Sequence, residues 1–219
     1  MRVPSRILHR FPCFGRQTIL PFMKVKGPNP IGILPPTSDP NVSSILQAMQ
    51  LKRLYRQGWL KRGVDEVDCE SVADHSFAVA MLALLAPLPA GLKLDRSKAA
   101  LLALVHELGE VYAGDITPVD GVSPAEKAAL ERDSLARVLK GHGEAEMLLA
   151  FWEEFETGST AEARWVRELD RLEMGLQAAL YREEGKPRME EFIASADRSV
   201  KDAALRALMR SVTAPGSIM

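Results

Sequence analysis

Cysteine is nearly missing. Cys13 and Cys69 are the two in 219 residues, far apart and in no CxxC or zinc-type spacing, which leaves structural thiols in a reducing compartment as the expectation. Long apolar runs are missing as well: Pro87, Pro89 and Lys93 close the longest before it reaches the roughly 18 residues a membrane span requires. Net charge is close to absent, with 28 basic residues against 29 acidic ones and a balance of -1. A chain so balanced offers no field for a polyanion, so neither a nucleic-acid polymer nor a membrane surface is an expected partner. No internal repeat is visible, and no stretch shows the sustained alternation of a strand.

Acid is absent from the first 38 residues, where Arg2, Arg6, Arg10, Arg16, Lys24 and Lys26 are all basic, and eight of the 14 prolines lie in the first 40. A segment of that composition buries little surface, so residues 1–38 read as an extension outside the fold, either disordered or translated from upstream of a start at Met23. Removal of residues 1–22 is then expected to leave stability unchanged. The compartment expected is the cytoplasm, or an organelle if residues 1–22 are a transit peptide.

From Asp39 onward the pattern turns helical. Asp39 and Pro40 open a first helix, and a basic, aromatic link, LKRLYRQGWLKRG, follows, with Gly58 and Gly63 breaking the helix around Trp59. Ser71 and Asp74 read as a capping box that puts His75 in the first turn of the next helix. Asp95 caps a central helix ending at Gly114, and Ser123, Pro124 and Glu126 open another that closes at Gly141. A helix follows over residues 144–156, Ser159 and Glu162 cap a long one over 161–184, and shorter ones cover 189–195 and 198–212. The expectation is an all-α orthogonal bundle over residues 39–212, with a tail at 213–219.

The central stretch, ALLALVHELGEVYAGDIT over residues 100–117, carries the chemistry. Its apolar residues run nearly round a helical wheel, which predicts burial on most sides, yet His106, Glu107, Glu110 and Asp115 interrupt it. On one helix His106 and Glu110, four apart, share a face. Buried charge is costly unless paired or bound to a metal. Asp170 lies on the inward side of the long helix beside Val166 and Glu173, where it either serves as a ligand or pairs with Arg167 and Arg171 at the rim. A His at a helix start, a His-acid pair on a central helix and an Asp on a later one make a set of N and O donors suited to a divalent ion.

With these residues in place the chain resembles the HD-domain phosphohydrolases, whose signature is H…HD…D, and more narrowly their 5'-deoxynucleotidase group. The matching stretches run in order from LKRLYRQGW through ESVADHS, LALVHELGEVYAGDITP and EFETGSTAEARWV to ELDRLEM. The resemblance implies that His75, His106 and Asp170 hold one divalent ion (Mn, Co, Fe, Zn or Mg), with Glu107 in the fourth ligand position. It implies that Glu110 and Asp115 are the acids acting around the attacking water and the leaving group. Trp59, with Arg53, Arg56 and Arg62 near it, matches the part that contacts substrate, a deoxynucleoside 5'-monophosphate, and a homodimer is implied as well. His9 and His142 match nothing, and His142 reads as a solvent-facing residue at a helix end.

The chain departs from the pattern at two places. Glu107 stands where the signature has Asp, one methylene longer, so either the metal shifts, the helix tilts, or the Glu reaches the ion through another rotamer. Gly58 stands where some members have an Arg before the Trp, so a neighbouring guanidinium must supply the charge that a phosphate needs. The Glu107 departure keeps two alternatives open: a nucleotide-binding protein without turnover, and a hydrolase of another nucleotide phosphate ester.

Overall fold

Helix starts follow the capping chemistry of the sequence. The structure is a computed structural model and describes residues 23–27 and 30–213; the expectations for residues 1–22, with His9 and Cys13, and for residues 214–219 lie outside the described residues. Asp39 accepts from the N–H groups of Asn41 and Val42 to open α1 (Pro40–Ala48). A four-residue turn of helix, α2 (Gln57–Leu60), contains Gly58 and Trp59, where a break was expected. The Ser71–Asp74 box heads α3 (Val72–Leu85), and Asp95 caps α4 (Arg96–Val105). After α5 (Glu110–Ala113) the box of Ser123 and Glu126 opens α6 (Pro124–Val138). Caps of this kind are worth about 1 kcal/mol each.

The remaining helices are α7 (Ala145–Thr157), α8 (Ala161–Glu183), α9 (Met189–Ser199) and α10 (Ala203–Thr213). The cap of α8 is Thr160 in place of Ser159, because Gly158 ends α7 in the left-handed conformation and moves the next start by one residue. Glu162 is thereby freed to accept from the Asp95 N–H at 3.1 Å. The last helix begins at Ala203, later than its apolar spacing suggests, since α9 runs on to Ser199 and Asp202 caps the new start. Among the described residues there is no strand, only isolated antiparallel bridges at Val25–Leu54 and Tyr55–Ser71. No described helix is long and apolar enough to cross a membrane.

Three apolar clusters hold the helices together. The largest joins α3, α4, α8, α9 and α10 through Val79, Leu102, Val166, Leu169, Leu172, Leu205 and Met209. A second sets α5, α6 and α7 against the start of α3 through Val72, Val105, Val111, Leu135 and Trp152. The third packs Tyr55, Trp59, Val64 and Cys69 on Tyr181, Met189 and Ile193. Helices α3, α4 and α8 contact one another pairwise, so the start of α3, the end of α4 and the middle of α8 are brought to one place.

The central stretch is not one helix. It stops at Val105, turns through residues 106–109 with i to i+3 bonds (Leu108 N to Val105 O at 3.0 Å, Glu110 N to Glu107 O at 3.0 Å), and resumes as α5. The expected sharing of a face by His106 and Glu110 is therefore lost. Burial is also less complete than the wheel suggests, because Leu101 and Leu104 are 48% and 50% exposed. Gly114 ends α5 with φ of 80°, a left-handed value that favours glycine, and so points the chain towards Asp115.

Residues 23–27 were expected outside the fold, and they lie against it. Lys24 N–H donates to Gln57 Oε1 at 3.0 Å, Gln57 Nε2 returns a bond to Lys24 O at 2.8 Å, and Lys26 N–H donates to Arg53 O at 2.7 Å. A pairing segment does not have to be rich in acid or in apolar residues. Shortening the chain to residue 28 is accordingly expected to lower stability by about 1–3 kcal/mol relative to a chain shortened to Met23. Denaturant melts of the two truncations check this, and equal midpoints would refute it.

Candidate metal centre

Four donors from three parts of the chain face one another. His75 Nε2, from the first turn of α3, lies 3.3 Å from Asp170 Oδ1 of α8 and 3.6 Å from Glu107 Oε1. His106 Nε2, at the end of α4, lies 3.4 Å from the same Glu107 oxygen. Donor atoms of His75, His106 and Glu107 all fall within 4.8 Å of one another. Both imidazole Nε2 atoms are buried and make no hydrogen bond. Ligands bound at about 2.1 Å around one ion stand about 3.0–3.5 Å apart, so this spacing and the two orphaned nitrogens fit a divalent cation.

The other ring nitrogens are held from behind. His75 Nδ1 meets Glu173 Oε2 at 2.6 Å, and His106 Nδ1 meets the Ala103 carbonyl at 2.7 Å, the contacts that fix ring orientation in metal-binding histidines. Burial and Arg56 oppose a proton on His75, but Glu173 and Asp170 outweigh them and push the imidazole up to about 10. A cation would take the place of that proton. Burial likewise works against the charge of Asp170 and Glu107, yet His75 and Arg171 hold the first well below the usual carboxylate range, and His106, Arg56 and His75 hold the second there. The rim pairing considered for Asp170 is thin: Arg171 Nε is 3.8 Å away on an exposed side chain, and Arg167 donates to the carbonyls of Phe155 and Glu156.

Glu110 and Asp115 sit beside this group. Arg56 Nη1 reaches Glu107 Oε1 and Asp115 Oδ1, each at 3.3 Å, and the Gln57 N–H donates to Asp115 Oδ2 at 2.5 Å. Glu110 is 1% exposed and neither of its carboxyl oxygens has a hydrogen-bond partner. Burial, then the charges of Glu107 and Asp115, push its carboxyl well above the ordinary range.

Three of the expected substrate-binding residues are placed elsewhere. Trp59 is 3% exposed; its ring packs on Tyr181 and Phe192, and its Nε1 donates to Glu70 Oε1 at 2.7 Å, so it offers no open wall. Arg53 Nε donates to the Lys26 carbonyl at 3.0 Å, and Arg62 Nε to Glu191 Oε2 of α9 at 2.9 Å. Of the three arginines, Arg56 is the one that contacts the carboxylates of the cluster. His142 accepts from the Glu144 N–H at the head of α7. Cys69 is a free, buried thiol that burial pushes up to about 12, which makes it inert at neutral pH. Glu173 was not singled out by sequence as functional, although its place three residues after Asp170 put both on one face of α8.

These features define an all-helical bundle with a buried His, His-acid, Asp cluster, and the sequence pattern of the HD domain matches residues 48–209. The chain belongs to the HD-domain family. It is 40% identical over 167 residues to the 5'-deoxynucleotidase HDDC2 of Danio rerio, covering 74% of this chain and 81% of that protein. It is 38% identical over 147 residues to the Homo sapiens 5'-deoxynucleotidase HDDC2, covering 65% of this chain and 70% of that one. Among solved structures it is similar to a conserved hypothetical protein from Pyrococcus furiosus, with a TM-score of 0.65, 31% identity, and coverage of 78% of this chain and 98% of that one. A predicted metal-dependent phosphohydrolase from Magnetospirillum magnetotacticum is similar with a TM-score of 0.61 and 27% identity, covering 79% and 91%.

Proposed function

We propose that this chain is a metal-dependent 5'-deoxynucleotidase that releases phosphate from deoxynucleoside 5'-monophosphates. The observation that carries this is the convergence of His75, His106, Glu107 and Asp170 around two unpartnered imidazole nitrogens, in a chain 40% identical to a 5'-deoxynucleotidase. His75, His106, Glu107 and Asp170 would hold a divalent ion, which when bound would lower the pKa of water from 15.7 to about 7 and polarise a phosphoryl oxygen. Two imidazoles in the donor set favour Mn, Fe, Co or Zn over Mg, which prefers oxygen ligands.

The protein's own groups do the rest. Glu173 and the Ala103 carbonyl orient the two imidazoles. Arg56 places positive charge beside Glu107 and Asp115 and binds the phosphate oxygens. Asp115, fixed by the Gln57 N–H and Arg56, orients the attacking water. Glu110, with both carboxyl oxygens unpartnered, carries the proton that the departing 5'-oxygen requires.

The compartment proposed is the cytoplasm, supported by the free Cys69 thiol. A homodimer is proposed, supported by exposed apolar residues on two helices that pack together: Phe77 and Leu84, one helical face of α3, with Leu101 and Leu104 of α4. Light scattering that returns the mass of a single chain would overturn the dimer. The function is tested by phosphate release over a panel of deoxynucleoside and ribonucleoside monophosphates, cyclic nucleotides and triphosphates. Release from the deoxynucleoside monophosphates is the expected result. Release from another ester alone, or binding without release, would contradict the proposal.

A further inference from the structure

A dianionic phosphate entering a group of four or more carboxylates needs positive charge from the protein, and the arginines near Trp59 provide less than the sequence suggested. Arg56 is already engaged by Glu107 and Asp115. Arg53 and Arg62 are held elsewhere. Helix α6 supplies a second cation. Gly109, in the turn between Glu107 and Glu110, lies so close to it that a Cβ at this position would be 2.8 Å from Glu131 Cβ and 2.9 Å from the Glu131 carbonyl. Four residues earlier in α6, and so on the same face, Lys127 Nζ lies 3.3 Å from Glu131 Oε1.

The surroundings of Lys127 point to an incomplete set of partners. Its charge is held up, against burial, by Glu110, then Glu131, Glu107 and Asp115. The Lys127 side chain is still 37% exposed, and an ammonium has three donors, of which a single 3.3 Å ion pair uses one. Glu131 Oε1 is buried, and the Lys127 ammonium at 3.3 Å is the cation it faces. Burial pushes the Glu131 carboxyl up to about 8, against the pull of Lys127.

We propose that Lys127 is a substrate-binding residue that anchors the phosphate of the nucleotide from α6, as Arg56 does from the segment before α2. This rests on the phosphomonoesterase reading of the site. The competing role is structural, a counter-ion for Glu131 and nothing more. The two roles differ in what removing the whole pair does.

The test compares Lys127→Met, Lys127→Arg and the double variant Lys127→Met with Glu131→Gln, all metal-loaded. The double variant leaves no buried charge alone, so it keeps the fold even if Lys127→Met loses it. Binding of inorganic phosphate and of a deoxynucleoside is measured by calorimetry, alongside KM, kcat and metal content. In both Met-containing variants that fold, phosphate affinity is expected to fall and KM to rise by about tenfold or more. Deoxynucleoside affinity and metal content should not change, and Lys127→Arg should stay within about threefold of wild type. Wild-type phosphate affinity in the double variant, or equal losses of phosphate and deoxynucleoside binding, would overturn the anchor and leave the hydrolase reading intact. Wild type that binds phosphate through Lys127 yet hydrolyses no nucleotide would support the anchor and overturn the hydrolase reading.

Discussion

Asp170→Ala is expected to empty the site of metal and to lower phosphate release by at least about 100-fold, with the helical content largely kept. The side chain is the sole donor that α8 sends to the His75 Nε2, 3.3 Å away. No other carboxylate of that helix can replace it, because Glu173 is used at 2.6 Å on the opposite nitrogen of the same ring. The packing around it is apolar: Val166, Leu169 and Leu172 are fully buried in the same helix. Replacement of Arg167 or Arg171 should change metal content and rate by less than about threefold, since Arg167 bonds carbonyls at the end of α7 and an exposed pair such as that of Arg171 contributes about 0–1 kcal/mol. Metal analysis, circular dichroism and phosphate release on the three variants check this. Full metal occupancy in Asp170→Ala would remove Asp170 from the ligand set.

Glu107→Ala is expected to cost about as much, lowering metal affinity and rate by at least about 100-fold, whereas Glu107→Asp should remain active. The glutamate stands where the family signature has aspartate, yet its Oε1 comes within 3.4 Å of His106 Nε2 and 3.6 Å of His75 Nε2. It reaches that point because α4 has ended at Val105 and the chain is turning. The extra methylene is then taken up by a turn and does not have to be absorbed by a regular helix. Arg56, 3.3 Å from the same oxygen, fixes the carboxylate in place. Wild type without metal and without phosphate release, with Glu107→Asp recovering both, would show that the longer side chain disables the site.

Much of the fold was legible because caps and periodicity are local. Asp39, Ser71, Asp95 and Ser123 each start a helix by bonding to N–H groups two or three residues away, so their meaning does not depend on the rest of the chain. The break at residues 106–109 was hidden for the opposite reason. LVHELGEV reads as continuous helix, and what turns it is tertiary: Glu131 of α6 pressed against Gly109, leaving no room for a Cβ. The four expected donors are brought together, since three helix positions with the right ligand types were visible in sequence. Their surroundings were less visible. Trp59 looked available because an aromatic among arginines resembles a binding surface, but Glu70 and Tyr181, 11 and 122 positions on in sequence, enclose it. Lys127 gave no signal in sequence because a lysine in the first turns of an amphipathic helix is ordinarily solvent-facing, and only the packing of α6 on the turn brings it to the acids. The short pairing of residues 23–27 with the segment around Arg53 and Gln57 was missed because it consists of backbone and amide bonds that need no particular composition.

The most direct measurement is phosphate release from a deoxynucleoside 5'-monophosphate by wild-type protein stripped with a chelator and then titrated with Mn, Fe, Co or Zn. Release should be lost on stripping and should return in proportion to bound metal, while the same titration of Asp170→Ala stays flat. Hydrolysis that survives complete removal of metal, or metal-loaded wild type that releases no phosphate from any deoxynucleotide, would contradict the account.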